Sequence, residues 1–529
     1  MPQKRSALQL EKLCLTRICK SMENYWYRPF EEQFGNTSGL LHIIGPFDHI
    51  SSELIQLVID VLVENKLFNP KYLQLLLSNH LNQLDLSKAN TSLKQNSIAE
   101  TIGRRCLNLT RLNLRHCSGL SSKSLVTMVT HLKKLQHLNL ASTKCDNQVL
   151  AAVAKTCSDL LTLDVSCTKI GTLQPLLSQD SSLPMESLPC PKLRCVDFYL
   201  LNVPQEHIVE FLKLRSDILT DFVFDDMIKA IENYTHSEIA CSLNNLALEN
   251  ESESDIQEKL QMYDQFHVKS LKIRTLNCDM SHLSPDNPQC LIKTVMTCQC
   301  ITSVILTNVT TCSHLIPLGN LANLSKLSVN LSQECSDDGL LQFDTGIKPV
   351  LEKQGHRIIS LDLHGFQFVD IHSVGVLCQK IRRIDLFYTK LAPLSDPVSK
   401  DGQYFQKLEE FLYHPLEDEE LDLDEVVSPL SFVIENACAL RSLTIKYCAE
   451  LHDTMVSKAV EEHSFRNLEV LDLCKCNTIT SESIETLLHA DNNLKDLKLD
   501  RCWNVNNSNF QDYKRFIKKH KLDVRLVWV

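Results

Sequence analysis

Apolar and polar residues alternate in a short pattern that recurs along most of the chain. In its clearest copy, the leucines are Leu109, Leu112 and Leu114, at relative positions 1, 4 and 6. Cys117 follows three positions after the last leucine. The alternation of Leu112 and Leu114 predicts a short strand with one buried face. The apolar spacing over Leu120–Leu125 then indicates the start of a helix. A single strand–helix unit cannot bury its apolar face alone, so we expect it to stack against copies of itself.

The copies extend from Leu81 almost to the end of the chain, at intervals of 23 to 34 residues. The central apolar positions of sixteen copies are Leu84, Leu112, Leu138, Leu163, Val196, Phe222, Leu246, Leu271, Val304, Leu327, Leu361, Ile384, Phe411, Leu443, Leu471 and Leu497. Leucine-rich repeats have periods of roughly 20–29 residues, and longer intervals indicate insertions. We therefore predict an α/β leucine-rich-repeat solenoid of the cysteine-containing type, with curved parallel strands inside and helices outside.

Residues 1–80 do not follow the repeat, so we expect a helical region there and a solenoid over residues 81–529. Leu10, Cys14 and Ile18 fall at helical spacing and predict one apolar face. A second helix is expected to start at a cap over Ser51–Glu53 and to carry Leu54, Leu57, Val58, Val61 and Leu62 inward. A solenoid needs its open end covered, and these helices could serve as that cap alone.

The composition is that of a water-soluble folded chain. Of its 529 residues 43% are hydrophobic and 22% are charged, and the net charge of −11 implies no general affinity for nucleic acid or for an anionic membrane. The chain shows no secretory signal and no uninterrupted apolar run of about 18 residues, so no membrane span is expected. We expect the protein in the cytoplasm or the nucleus.

The 22 cysteines mostly follow the repeat. Cys117, Cys448, Cys476 and Cys502 lie three residues after the last aliphatic position of a strand, at a corner where a small thiol packs well. We therefore interpret them as structural thiols. The local cluster of Cys290, Cys298, Cys300 and Cys312 lacks the paired spacing of a zinc site, so neither a metal nor a cofactor is predicted.

Recognisable catalytic motifs are absent from the sequence, including a metalloprotease helix, a serine nucleophile elbow and a glycine-rich phosphate loop. We therefore predict a binding protein rather than an enzyme. The polar residues between strand leucines are expected to face outward and to contact an unidentified protein substrate. These partner-surface residues are Asn113, Asn139, Asp164, Asp362, Asp472 and Lys498.

The cysteine-type repeats resemble those of ubiquitin-ligase substrate receptors, in particular the F-box/leucine-rich-repeat proteins. The stretch Leu10-Glu-Lys-Leu-Cys14-Leu-Thr-Arg-Ile18 is similar to an elongin-binding box, which places a leucine, a cysteine and an aliphatic residue on one helix face. The stretch Phe47–Leu54, which contains Ile50, resembles the cullin-box region of the zyg-eleven/zer-one family. That family has the same order of elongin box, cullin box and leucine-rich repeats. We expect no counterpart of its armadillo-like C-terminal domain here, because the repeat pattern continues to residue 529.

The resemblance implies a substrate-recognition subunit of a cullin-RING ubiquitin ligase. Its adaptor-binding residues would be Leu10, Cys14, Ile18, Ile50 and Leu54, and its partners would be an elongin B/C-type adaptor and a cullin. Two other interpretations remain open for the same region. Ile50–Leu77 could form an F-box-type contact with the SKP/cullin complex, or the helices could merely cap a ligase-independent interaction scaffold.

Overall fold

The structure is a computed structural model. It describes residues 2, 10–34, 47–89, 93, 96–177, 188–245, 269–281, 289–311, 315–332, 343–394, 402–416, 428–463 and 465–528. The chain divides into two compact units, Leu8–Thr275 and Leu276–Val529. Each unit is considered by itself.

Both units are built from short parallel strands that follow one another in chain order. In the N-terminal unit the strands are β1 (Gln83–Asp85), β2 (Arg111–Asn113), β3 (His137–Asn139), β4 (Thr162–Asp164), β5 (Cys195–Asp197) and β6 (Asp221–Val223). Next come β7 (Thr275–Asp279), β8 (Ser303–Val309), β9 (Lys326–Leu331), β10 (Ser360–His364), β11 (Arg383–Thr389), β12 (Glu410–Pro415), β13 (Ser442–Lys446), β14 (Val470–Cys474), β15 (Asp496–Asp500) and β16 (Arg525–Trp528).

Helices or short helical turns connect the strands. In the N-terminal unit the α-helices are α1 (Leu10–Ser21), α2 (Arg28–Phe34), α3 (Ser52–Glu64), α4 (Leu73–Leu76), α5 (Asn96–Arg105), α6 (Ser122–Val129), α7 (Asn147–Thr156), α8 (Gln205–Arg215) and α9 (Met227–Asn245). A π-helical turn over Met22–Tyr27 joins α1 to α2. The C-terminal unit contains α10 (Gln289–Thr297), α11 (Phe343–Gly346), α12 (Lys348–Gln354), α13 (Ile371–Leu377), α14 (Pro429–Asn436), α15 (Asp453–His463), α16 (Ser481–His489) and α17 (Asn507–His520).

The repeating leucines form the core because parallel pairing places equivalent positions side by side. Leu84, Leu112, Leu138 and Leu163 are register partners along β1 to β4, and each is at most 2% exposed. The second leucine of each pattern, such as Leu114, is also fully buried. Both apolar positions of the repeat therefore pack inward, and the α/β leucine-rich-repeat solenoid is confirmed.

Fourteen of the sixteen predicted strand centres lie in the expected strands. Leu246 lies outside the described residues. The prediction at Leu271 is wrong, because the strand there is β7, four residues further along the chain. Leu271 and Ile273 are buried, but so are Leu276 and Cys278, so the sequence contains two overlapping copies of the pattern. Pairing of Asp221 with Thr275 selects the second copy.

The corner cysteines are structural, as predicted. Cys117, Cys448, Cys476 and Cys502 are all buried. The thiols of Cys117, Cys476 and Cys502 each donate to a backbone carbonyl of the preceding repeat, at 3.4 to 3.7 Å. Burial raises the pKa of Cys117 to about 12, so this thiol stays protonated and unreactive.

Helix α3 closes the open edge of the first strand. It begins at the predicted cap, where the Ser51 hydroxyl accepts a hydrogen bond from the N–H of Leu54. The Ser52 hydroxyl and the Gln56 amide then bond to backbone groups of β1. These bonds satisfy backbone groups that an edge strand would otherwise leave unpaired.

The inward face of α3 differs in part from the prediction. Val58 and Leu62 are buried as expected, but Leu54 and Val61 are half-buried and Leu57 is 40% exposed. Ile55 and Ile59 occupy the core in their place. The helix has apolar residues on most of its circumference, so spacing alone could not define which of them face inward.

Candidate binding surfaces

Helix α1 buries one face against α3 and exposes another. Cys19 and Met22 are buried, and the Cys19 thiol lies 3.7 Å from the carbonyl oxygen of Val58. On the exposed side, Cys14 faces solvent and the side chain of Leu13 is 50% exposed. Ile18 is half-buried. The helix therefore has a packing face and a separate, partly apolar face that is open to solvent.

Leu10 begins α1, but its side chain lies outside the described residues. The other two predicted adaptor-binding residues are close to the start of α3. Ile50 is half-buried, and its carbonyl oxygen lies 2.6 Å from Nε2 of His80. Leu54 is half-buried in the first turn of α3. The predicted adaptor-binding residues therefore lie on α1, on the turn before α3 and on the start of α3, and the two helices contact each other.

Aromatic side chains hold the segment after α1 in place. The Trp26 ring lies 5.2 Å from that of Phe47, and the Tyr27 ring lies 5.8 Å from that of Tyr72. The Tyr72 hydroxyl donates to the Glu23 carboxylate at 2.9 Å. These contacts tie the N-terminal helices to the segment that leads into β1, so α1 has a fixed position within its unit.

The strands of the N-terminal unit line a groove of about 550 Å³. Three of the predicted partner-surface residues, Asn113, Asn139 and Asp164, contribute to its lining. The polar and charged residues that line it are Gln56, Gln83, Asp85, Arg111, Asn113, His137, Asn139, Thr162, Asp164, Asp197 and Asp221. These three residues share one groove, and its role as a partner surface stays a prediction.

The carboxylates and amides in the groove bond to one another across neighbouring strands. Nδ2 of Asn113 donates to Asp85 at 2.9 Å, and Nδ2 of Asn139 donates to Asp164 at 2.7 Å. Oδ1 of Asn139 accepts a hydrogen bond from the N–H of Ala141, two residues further along the chain. These side chains therefore turn the chain at the strand ends as well as lining the groove.

Four carboxylates and one guanidinium group give the groove an acidic character. Burial raises the pKa of Asp197, with a further contribution from the nearby charge of Asp164. Burial and the charge of Arg111 lower the pKa of His137, so that imidazole is neutral near pH 7. Asp197 and Asp221 were not among the predicted surface residues, although Asp197 occupies the position in its repeat that Asp164 occupies in the preceding one.

The remaining predicted surface residues lie in the C-terminal unit, where opposite charges are paired. Nζ of Lys498 donates to Asp472 at 3.0 Å. Asp362 accepts a hydrogen bond from the Ser328 hydroxyl at 2.9 Å and lies 3.0 Å from Nε2 of His364. Lys498 and Asp472 therefore form one ion pair on the surface, and a partner would contact them together.

The described residues contain no group of three or more histidine, cysteine, aspartate or glutamate side chains arranged to hold a metal ion. Of the predicted cysteine cluster, Cys298 is buried and Cys300 is exposed, whereas Cys312 lies outside the described residues. Within the same part of the chain, no helix is both long enough and apolar enough to cross a membrane.

No protein-family model and no curated protein sequence matches the chain. Among solved structures, it is similar to the Rad7 and Elc1 complex of yeast, at 15% identity and a TM-score of 0.41, over 95% of this chain and 96% of that one. It is also similar to a leucine-rich-repeat protein of Leptospira interrogans, at 14% identity and a TM-score of 0.39, over 87% and 92% of the two chains. The leucine-rich-repeat fold of this chain is established by its own strands, helices and register.

Proposed function

We propose that the protein is a substrate-recognition subunit of a cullin-RING ubiquitin ligase. Residues 1–80 would bind an elongin B/C-type adaptor and a cullin, and the solenoid of residues 81–529 would bind the substrate. The observation that carries this proposal is the division of α1 into a packing face at Cys19 and Met22 and an exposed face at Leu13 and Cys14.

Sealing the end of the solenoid does not account for the exposed face of α1. Helix α3 already bonds to the edge strand through Ser52 and Gln56, so the backbone of β1 is covered without α1. A partly apolar helix face that is left open to solvent suits insertion into the groove of a partner. Cys14 is at the centre of the elongin-box pattern and on that open face.

The cullin would contact the beginning of α3. Leu54 is half-buried and Leu57 is 40% exposed, so apolar side chains remain accessible beside the predicted residue Ile50. A solvent-exposed leucine contributes little to folding but can contribute to a protein interface, where apolar area is removed from water. We therefore assign Ile50 and Leu54 to the cullin side of the adaptor region.

The substrate would bind the outward strand residues of the solenoid. In the N-terminal unit these are Asn113, Asn139 and Asp164, which line a groove large enough for several side chains of a partner. In the C-terminal unit they are Asp362, Asp472 and Lys498. A leucine-rich-repeat solenoid presents an extended binding surface of this kind and needs no catalytic group of its own.

The test is recovery of purified elongin B/C on the immobilised full-length protein. The Leu10→Ser/Cys14→Ser variant is expected to lose at least about tenfold in affinity, as truncation of central interface residues usually does. Lys20→Ser is the matched control, because Lys20 is exposed on the same helix but outside the box pattern. Equal recovery by wild type and by the double variant, or recovery by neither, would rule the proposal out.

A second candidate function is that of a ligase-independent scaffold, which the groove in the N-terminal unit favours. In that case neither elongin B/C nor the SKP-type adaptor of F-box proteins would bind. Binding of the SKP-type adaptor alone would support the F-box interpretation of Ile50–Leu77 instead. Two pull-downs, one with elongin B/C and one with the SKP-type adaptor, therefore separate the elongin, F-box and scaffold alternatives.

A further inference from the structure

A row of aromatic and cationic side chains follows the carboxyl ends of five consecutive strands in the C-terminal unit. We call this row the aromatic rim and define it as Tyr388, His414, Tyr447, Lys475 and Arg501, which come from β11 to β15 or directly follow them. Parallel strands lie about 4.8 Å apart, so equivalent residues of successive repeats come close enough to contact one another.

The rim side chains form a nearly continuous column. The ring of Tyr388 lies 4.6 Å from that of His414, and the ring of His414 stacks on Tyr447 at 4.9 Å with an angle of 20°. Nζ of Lys475 then lies 4.4 Å from the centre of the Tyr447 ring. The column therefore runs from an aromatic end at Tyr388 to a cationic end at Lys475 and Arg501.

The left-handed backbone conformation of four rim residues recurs in other repeats, but there the side chains are of other types. Tyr388, Tyr447, Lys475 and Arg501 all have positive φ angles between 51° and 55°. Similar φ angles occur in the N-terminal unit, where the residues are His116, Ser142, Cys167 and Leu200. Glycine adopts this conformation most easily, so large side chains at these positions are not required by the fold.

The rim is also accessible. The Tyr388 side chain is 54% exposed, and Arg501 is exposed at the other end. Beyond Arg501, the Trp503 side chain is 79% exposed. Tyrosine, tryptophan and arginine are the residue types most enriched in the energetic centres of protein interfaces, and all three are exposed at or near the rim.

The charges of the rim indicate an acidic partner. Lys475 and Arg501 form its cationic end, and Lys446 directly precedes Tyr447. Among the described residues, the carboxylate of Asp500 lies 3.5 Å from Nε of Arg501. This excess of positive charge contrasts with the chain as a whole, whose net charge is −11. Opposite charges at an interface steer the partner and set its orientation.

A peptide fits the rim better than a single-stranded nucleic acid. Proteins bind single strands by stacking bases on free aromatic faces. Here the faces of His414 and Tyr447 already stack on each other, and Lys475 covers Tyr447.

From this geometry we propose that the aromatic rim binds an acidic peptide segment of a partner protein. Carboxylates of the segment would contact Lys475 and Arg501, and an apolar side chain would lie on Tyr388. The inference rests on the proposed function only in that the solenoid binds a protein, and it does not depend on an elongin adaptor.

The experiment is a selection of short random peptides from a display library on the immobilised full-length protein. Wild type is compared with Tyr388→Gly/Tyr447→Gly and with Lys475→Glu/Arg501→Glu. The matched charge control is Lys326→Glu/Lys407→Glu, two exposed lysines away from the rim. Glycine adopts the left-handed backbone conformation without steric strain. The tyrosine variant is therefore expected to keep the wild-type melting temperature within about 2 °C.

We expect wild type and the charge control to enrich peptides rich in aspartate and glutamate with an apolar residue. Synthetic versions of these peptides should bind both rim variants at least about tenfold more weakly. Absence of acidic enrichment, equal binding by the rim variants, or tighter binding of labelled oligothymidylate would each overturn the inference. The rim variants leave α1 intact, so the elongin pull-down tests the proposed function separately.

Discussion

The Gln56 side chain forms hydrogen bonds with both the N–H and the carbonyl group of Asp85. Gln56 lies on α3, a helix that precedes the repeats. Its Nε2 donates to the Asp85 carbonyl oxygen at 2.9 Å, and its Oε1 accepts the Asp85 N–H at 2.8 Å. One amide side chain therefore substitutes for the neighbouring strand that β1 lacks on this side. The open edge of the sheet is closed by hydrogen bonds as well as by apolar packing.

Replacement of Gln56 by alanine is expected to lower the free energy of unfolding by about 1–2 kcal/mol, because two hydrogen bonds to an edge strand are lost. Urea denaturation followed by circular dichroism measures this change. Gln33→Ala, at an exposed position of α2, is the matched control and should change the value by less than about 0.5 kcal/mol. Equal stability of both variants would show that the amide does not close the edge.

Replacement of Gly103 by alanine is expected to destabilise the protein, although alanine favours helices by about 1 kcal/mol. A Cβ at Gly103 in α5 would lie 2.9 Å from Cα of Met128 in α6, so the two helices would have to move apart. Such overpacking usually costs about 1–3 kcal/mol, and the clash should exceed the gain in propensity.

Gly171→Ala is the control for this prediction, because its Cβ would meet no atom closer than the Asn202 carbonyl oxygen at 3.9 Å. Thermal melts of both variants give the comparison. The Gly103→Ala variant should melt at a lower temperature than Gly171→Ala. A Gly103→Ala protein that melts at or above the wild-type temperature would contradict the close helix contact.

Asp453 is expected to stabilise the C-terminal unit at neutral pH but not in acid. Burial alone would raise the pKa of Asp453, but hydrogen bonds from Ser483 and Thr480 in the next repeat outweigh burial and hold it below the usual value of 3.8. Because the folded pKa is the lower one, the stabilisation is present above the unfolded pKa and is lost as the pH falls through the folded pKa.

The Asp453→Asn variant should therefore be less stable than wild type by about 1–2 kcal/mol at neutral pH, because hydrogen bonds to a charged acceptor are lost. The difference should narrow below pH 3.8 as wild-type Asp453 becomes protonated. Urea titrations at several pH values measure it. A difference that stays constant down to the acid limit, or that widens there, would contradict this assignment.

The repeat core could be predicted from the sequence because its signal is periodic. Leu112, Leu114 and Cys117 each recur at fixed offsets, and each is buried as expected. The exception at Leu271 has a local cause, since Ile273, Leu276 and Cys278 repeat the same spacing a few residues later. Only the pairing of Thr275 with Asp221, 54 residues away, distinguishes the two possibilities.

The binding surfaces were less predictable because they depend on contacts between repeats. Asn113 and Asp164 were recognised as outward positions, but their bonds to Asp85 and Asn139 join residues 25 to 28 positions apart. The aromatic rim has no constant residue type, and it becomes apparent only once parallel pairing brings His414 beside Tyr447. Likewise, spacing did not reveal which side of α1 packs on α3.

The thiols offer a direct measurement of the exposed face of α1. Cys14 and Cys167 are exposed, whereas Cys117 and Cys157 are buried and burial raises the pKa of each to about 12. Brief alkylation of the native protein with iodoacetamide, followed by mass spectrometry, should therefore modify Cys14 and Cys167 well before Cys117 and Cys157. Modification of all four at similar rates would contradict the packing described for these thiols.

The same alkylation, repeated with a saturating amount of purified elongin B/C, tests the central claim most directly. If α1 inserts its open face into the adaptor, the rate at Cys14 should fall by at least about tenfold, because the thiol is removed from solvent. Cys167 serves as the internal control, and its rate should not change. An unchanged rate at Cys14 under saturating elongin B/C would contradict the assignment of this protein as an elongin-linked substrate receptor.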